Sequence, residues 1–316
     1  MFQGIKNGWD LIKESIRVFN HHPRFLVPLF ITWLIYAPII LYLKYLFNWN
    51  AYTGIQILWI LFGIIFIFAF LLSFSCSMLL ELIQQLETGQ RMSLTKALGY
   101  TLGQNILKII PLVFVWAIIW FILTIIQVLL SKKKRESEKE PFTAENAART
   151  LAGFQRFSLS RAFFKALEKG VRMIMFLILP AIAWENLGFW KSVKKGLAVF
   201  QAHLSEFVTG FILTGVAAMF IFLPPAILFL ISDKLEVSFP DSVWVATIIY
   251  IAFAWSYSIY LEQMFTAELY LWHLRWEKEV TKAQREIRPI PSMREVQRPS
   301  VLDEVHELID KAEVIV

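Results

Sequence analysis

The chain has a single cysteine, Cys76, among 316 residues, which excludes an intrachain disulfide and leaves the redox compartment open. Charge is scarce too: 18% of the residues are Asp, Glu, Lys or Arg, against roughly 25% in a soluble domain. No CxxC or HExxH spacing occurs, so the common zinc arrangements are unavailable. A Walker loop, a dinucleotide fingerprint and a hydrolase elbow are also absent. No nucleophile stands at a telling spacing from a base, so neither catalysis nor a cofactor is expected. Residues 1–24 lack an apolar core followed by a small-residue cleavage site, and Met1-Phe2 lacks the glycine that myristoylation requires. The first hydrophobic segment is therefore expected to remain as an anchor.

What the chain has in abundance is apolar surface: 57% hydrophobic and 16% aromatic residues, with mean hydropathy +0.56. It comes in blocks. No charge lies between Arg24 and Lys44, Lys44 and Glu81, Lys108 and Lys132, Glu206 and Asp233, or Asp241 and Glu262. A helix needs about 20 apolar residues to cross a hydrocarbon core roughly 30 Å thick, and five runs meet that test. A sixth, MIMFLILPAIAW at Met173–Trp184, is too short alone. It can span if Lys165, Lys169 and Arg172 snorkel to the headgroups. The predicted fold is all-α, a polytopic helical membrane protein of about six spans near 25–46, 55–82, 108–130, 163–185, 207–232 and 242–270.

Two stretches repeat: VFNHHPRFLV at Val18–Val27 and VFQAHLSEFV at Val199–Val208. A shift of 181 residues also superposes Trp190 on Trp9, Lys194 on Lys13, Phe200 on Phe19 and His203 on His22. A shift of 83 places Lys96 on Lys13 and Pro111 on Pro28. Segments 8–22, 91–105 and 188–203 thus share a plan of amphipathic helix, polar corner and span, with Ser93 a plausible N-cap for the second. Trp9, Ile12, Ile16 and Phe19 fall on one helical face, flanked by Lys13 and Arg17. Such helices are expected to lie in the interface with Lys13, Lys96 and Lys194 toward anionic headgroups. Three copies of like orientation make a parallel pseudo-repeat. The plainer alternative is that any helix entering a bilayer looks this way.

The basic residues beside the runs favour both termini inside a cytoplasmic membrane. Segment 131–161, with KKKR at Lys132–Arg135, dissents from that rule and reads as a solvated charged excursion. The net charge of +6 suits positive-inside loops and anionic lipid rather than nucleic acid. The tail, 273–316, breaks at Pro289 and Pro291; a last helix over 301–316 carries an apolar stripe with an acidic flank, which suits a protein partner.

Four carboxylates, Glu81, Glu185, Glu262 and Glu268, are expected at the inner end of the spans. Ionisable groups there are costly and usually paired or turned to a cavity. Two readings stay open, namely ion pairs that clamp helices together and a polar vestibule for a headgroup or ion. His22 and His203 mark the repeated corners, but with no further ligands beside them no metal site is expected.

The stretches GIKNGWDLIKESIRVFNHHPRFLVPL, ELIQQLETGQRMSLTKALGYTLGQ and ILPAIAWENLGFWKSVKKGLAVFQAHLSEF resemble an uncharacterised group of prokaryotic six-span proteins classed under domains of unknown function. The last pattern is more loosely similar to membrane regions beside glycerophosphodiester phosphodiesterases. The resemblance covers residues 4–272 and implies topology more than activity. It also implies that Glu185, Gly188, Glu87 and Gly89 belong to the shared plan.

Overall fold

A computed structural model describes residues 2–130, 141–153, 159–292 and 295–302, and these are helical with no strand among them. Helix α1 (Phe2–His21) stops before Pro23, whose missing N–H opens a 3₁₀ turn that leads into α2 (Val27–Leu41). Helix α3 (Gly54–Glu87) opens with a capping box, in which the Gln56 N–H donates to Thr53 Oγ1 and the Thr53 N–H donates to Gln56 Oε1. Beyond its end the chain turns at Gly89, whose φ of 69° suits glycine.

Ser93 caps α4 (Leu94–Tyr100) by accepting from the Lys96 N–H at 3.3 Å. The polar corner expected at 105 is instead a π-helical turn, Thr101–Asn105, inside one continuous helix that runs on as α5 (Ile106–Leu130). Next come α6 (Ala144–Ala152), α7 (Leu159–Ala183), α8 (Phe189–Ala202) and α9 (Leu204–Ile221). Pro224 and Pro225 enforce a break at Phe222, so the expected fifth span is two helices, α9 and α10 (Leu223–Leu235). Helix α11 (Asp241–Arg285) is the longest.

Among the described residues five helical stretches are long and apolar enough to cross a bilayer: Pro23–Leu46, Gly54–Glu87, Leu94–Leu130, Leu204–Ile221 and Asp241–Arg285. Their most apolar windows bury only 22% to 39% of their residues inside the protein, so most of that surface, Ile55, Leu107 and Ile212 included, needs lipid around it. The chain is a multi-pass helical membrane protein.

The expected sixth span, 163–185, is not among the five, because every 18-residue stretch of α7 contains Glu168, Lys169 and Arg172; its surroundings explain how it tolerates them. From Phe176 to Leu179 and Ala181 to Ala183 the α7 side chains, with Trp184 just beyond them, are at most 2% exposed. They are enclosed by α3, α5, α8 and α11 rather than by lipid. A helix sheathed in protein has no need of a full-length apolar exterior. Of the three cations expected to snorkel Lys165 is exposed, but Lys169 and Arg172 do not turn outward: Lys169 donates to the Phe211 carbonyl at 2.8 Å, and Arg172 turns to Glu262.

Ring and hydrogen-bond pairs set the relative heights. Helix α7 runs parallel to α11, with Phe176 O accepting from Gln263 Nε2 and Trp184 against Tyr270. Helix α5 runs antiparallel to α7, with Trp116 against Phe176 and the Lys108 ammonium donating to the Asn186 carbonyl. Residues 168–172 of α7 therefore stand level with about Trp120–Thr124, just past the middle of α5.

At one end of the bundle α8 folds back along α7, so closely that a Cβ on Gly196 would meet Ile178 Cα at 3.0 Å. Helix α1 packs on α9 and α11, with Phe19 edge-on to Tyr257 at 4.8 Å. The inward face of α1 is Leu11, Ile12, Ser15 and Val18, turned to protein; Trp9, expected on the apolar stripe, is half-exposed. At the 181-residue shift, Leu11, Ser15 and Val18 correspond to Ser192, Gly196 and Val199, and all six are buried. Lys13, Lys96 and Lys194 are all exposed.

The tail straps this same end. Trp272 and Trp276 indoles donate to the Val296 and Pro291 carbonyls, Arg298 binds Asp10 and the Asn7 carbonyl, and Ser300 donates to Glu14. Arg298→Ala removes two of those contacts and is expected to speed trypsin cleavage after the exposed Arg285 several-fold, read as the rate of tail loss on a gel; an unchanged rate would show the strap held by its apolar residues alone. The terminal helix expected over 301–316 lies outside the described residues from 303 onward.

Candidate functional site

The costliest arrangement in the bundle lies at mid-depth. Arg172 donates from Nε and NH2 to the two Glu262 oxygens at 2.7 and 2.9 Å, a bidentate fork. Lys169 Nζ is 3.8 Å from the same carboxylate and sits over the Phe211 ring. Helical spacing puts Lys169 and Arg172 on neighbouring positions of α7, both reaching one residue of α11. Gly215 makes room, since a Cβ there would meet Lys169 Nζ at 3.1 Å. Charges this deep are costly and ordinarily mark a site.

Beside this cluster a cavity of about 260 Å³ opens between α2, α3, α5, α7 and α11. Its wall is aromatic, formed by Tyr36, Trp116, Trp120 and Trp255, with Arg172 and Glu168 its charged lining. Tyr36 donates to the Phe68 carbonyl and stacks on the Phe68 ring at 4.3 Å, which fixes that wall in place. Cys76, the lone thiol, is fully buried nearby on α3.

The four expected carboxylates go to four separate partner sets. Glu81 accepts from Asn105 Nδ2 at 3.0 Å across α3 and the π-turn. Glu185 takes the Tyr270 hydroxyl and lies 3.9 Å from Lys195. Glu268 accepts from Ser15 Oγ at 3.2 Å. Glu262 alone reaches the cavity cluster, through Arg172. Arg172, Lys169 and Lys195 are cations that meet these four carboxylates, while Lys13 stands 4.0 Å from its own-helix Asp10.

The corner histidines part as well. His22 lies against Phe25 and His203 against Trp272 and His273, with ring centroids 6.0, 5.2 and 5.4 Å apart. Burial, reinforced by His273, pushes the His203 imidazole down to about 3, so its ring is neutral at physiological pH. Among the described residues no group of three or more His, Cys, Asp or Glu side chains has the spacing to hold a metal ion.

Segment 131–161 holds an element that charge density concealed. Helix α6 carries its own caps, Thr143 accepting from the Asn146 N–H and Gly153 at φ 65°, and it buries Ala147 and Ala148. It packs on α2 and α11, and Arg149 grips both Asp233 oxygens at 2.9 and 2.7 Å. Glu168 and Arg172 are the functional candidates that sequence reasoning missed; the available signal was their i, i+4 spacing of opposite charges on α7.

No protein-family model matches this chain, and neither a curated protein nor a solved structure matches it.

Proposed function

We propose that the chain is a non-enzymatic protein of the cytoplasmic membrane that handles a lipid-like amphiphile in the mid-depth cavity, with both termini inside. The observation that carries the reading is a charge-bearing cavity between lipid-facing helices, far from either end of α5. A site for a water-borne substrate needs no aromatic wall at that depth, whereas an amphiphile meets one naturally. The exposed Lys13, Lys96 and Lys194 support an inner face resting on anionic headgroups. Transport of a small solute or lipid is the second reading, favoured by the break at Phe222 in a lipid-exposed helix.

A diazirine-bearing phospholipid tests the first reading. In wild-type protein it is expected to label Trp116 and Trp120 as well as the lipid-facing Ile212 and Met219 of α9. Leu123→Trp, which fills the cavity, is expected to cut α5 labelling at least about fivefold and leave α9 labelling unchanged. Equal loss on both helices, or none on α5, overturns it.

A further inference from the structure

Glu168 is the unusual member of the cavity wall. It stands one turn before Arg172 on α7, and among the described residues its carboxylate makes no hydrogen bond and no close ion pair. Arg172 and Lys165 act on it through space alone. The other charges lining or adjoining the cavity have partners: the Arg172 fork is spent on Glu262, and Lys169 is held by Glu262 and the Phe211 carbonyl. An anion entering the cavity would have to compete with Glu262 for the guanidinium. A cation would meet a carboxylate with nothing to displace.

The rest of the wall selects among cations. Tryptophan faces attract positive charge most strongly of the aromatic side chains, and the attraction grows as the site is desolvated. A small hydrated ion would have to shed its water against an apolar surface with a single carboxylate as replacement, which is unfavourable. An alkylated ammonium is weakly hydrated and spreads its charge over carbon, so it loses little on entering and gains contact with each ring. A cavity of about 260 Å³ lies just under the roughly 300 Å³ at which drug-sized ligand sites begin, so it suits a compact head group.

From this geometry we propose that the cavity binds an organic ammonium group, paired with Glu168 and laid against Trp116, Trp120 and Trp255. The inference rests on the cavity being the site at which an amphiphile is handled, and it names the chemistry that the site takes. That ammonium belongs to a free solute or to a lipid headgroup.

Benzyltrimethylammonium is the probe, titrated into the full chain in maltoside micelles and followed by equilibrium dialysis and tryptophan fluorescence. Wild-type protein is expected to bind it saturably and at least about tenfold more tightly than its neutral carbon isostere neopentylbenzene. Benzenesulfonate is expected to bind no better than the isostere. Glu168→Gln is expected to remove the tenfold preference, and Trp255→Leu to weaken ammonium binding several-fold. Competition by choline assigns the ammonium to a solute, and competition by lysophosphatidylcholine assigns it to a lipid; failure of both overturns the proposal. The wild-type charge preference stands whether or not a variant folds. If the three probes bind equally and Leu123→Trp blocks them all, the cavity reading survives and the ammonium assignment falls. If none binds saturably and Leu123→Trp changes nothing, both fall.

Discussion

Glu262→Ala is expected to cost about 3–5 kcal/mol of stability, the loss typical of stranding a buried charge. The substitution leaves Arg172 Nε and NH2 without acceptors and takes the carboxylate from Lys169, whose side chain is 14% exposed. Two cations then face each other on one helix, with Glu168 the remaining carboxylate that acts on Arg172. Replacing both ends of the pair is expected to cost much less than replacing one. In Arg172→Met/Glu262→Met an apolar pair of similar length fills the space, and such replacements of buried ion pairs are often neutral. The measurement is reversible unfolding of the purified protein in mixed micelles for wild type, both single variants and the double. A loss below about 1 kcal/mol for Glu262→Ala would place the pair in a solvated setting, as for surface ion pairs, and would undo the argument for a buried cluster.

The pair is half legible in the sequence. Glu262 stands out because it ends an uncharged run, which marks it as buried but does not name its partner. Arg172 and Lys169 read as snorkelling residues at the edge of a short span, since sequence shows how many charges a helix has and not whether protein or lipid surrounds it. The C-terminal half of α7 is enclosed, so Lys169 and Arg172 turn inward while Lys165 stays exposed. The same ignorance of surroundings misplaces the stripe on α1: periodicity finds an apolar face, yet Trp9 sits beside the face that packing chose. The lipid-facing helices are plain, because absence of charge over 20 residues has one physical meaning. Helix α6 is signalled by Thr143, Gly153 and the Glu145–Arg149 spacing, and those local cues are outweighed by the charges around them. The tail strap has no periodic signal. Its hold comes from single indole and guanidinium contacts, which no repeat announces.

Gly210→Ala is expected to separate intrinsic preference from packing, because the two predict opposite signs. Inside a helix alanine is favoured over glycine by about 0.8–1 kcal/mol, so a reading of α9 alone makes the change stabilising. In the bundle, a Cβ on Gly210 would lie within the van der Waals envelope of the Phe265 ring. That ring is fully buried, and it cannot swing aside as the end of a flexible chain would. Helix α9 must then move off α11, or Phe265 must leave its rotamer; overpacking of this kind costs about 1–3 kcal/mol. The close approach of α9 to α11 is of the small-residue type common in membrane helices, where packing rather than water drives association. Gly99→Ala is the matched control, since Gly99 lies in α4 and a Cβ added there would meet nothing within 4 Å. It is expected to raise stability slightly while Gly210→Ala lowers it. Phe265→Leu in the Gly210→Ala background is expected to recover more than it costs alone, a coupling visible in a double-mutant cycle. Equal stabilisation by both alanines would mean that α9 and α11 are not packed this closely in the membrane, and the path from Phe211 through Lys169 to Glu262 would then lose its geometric footing.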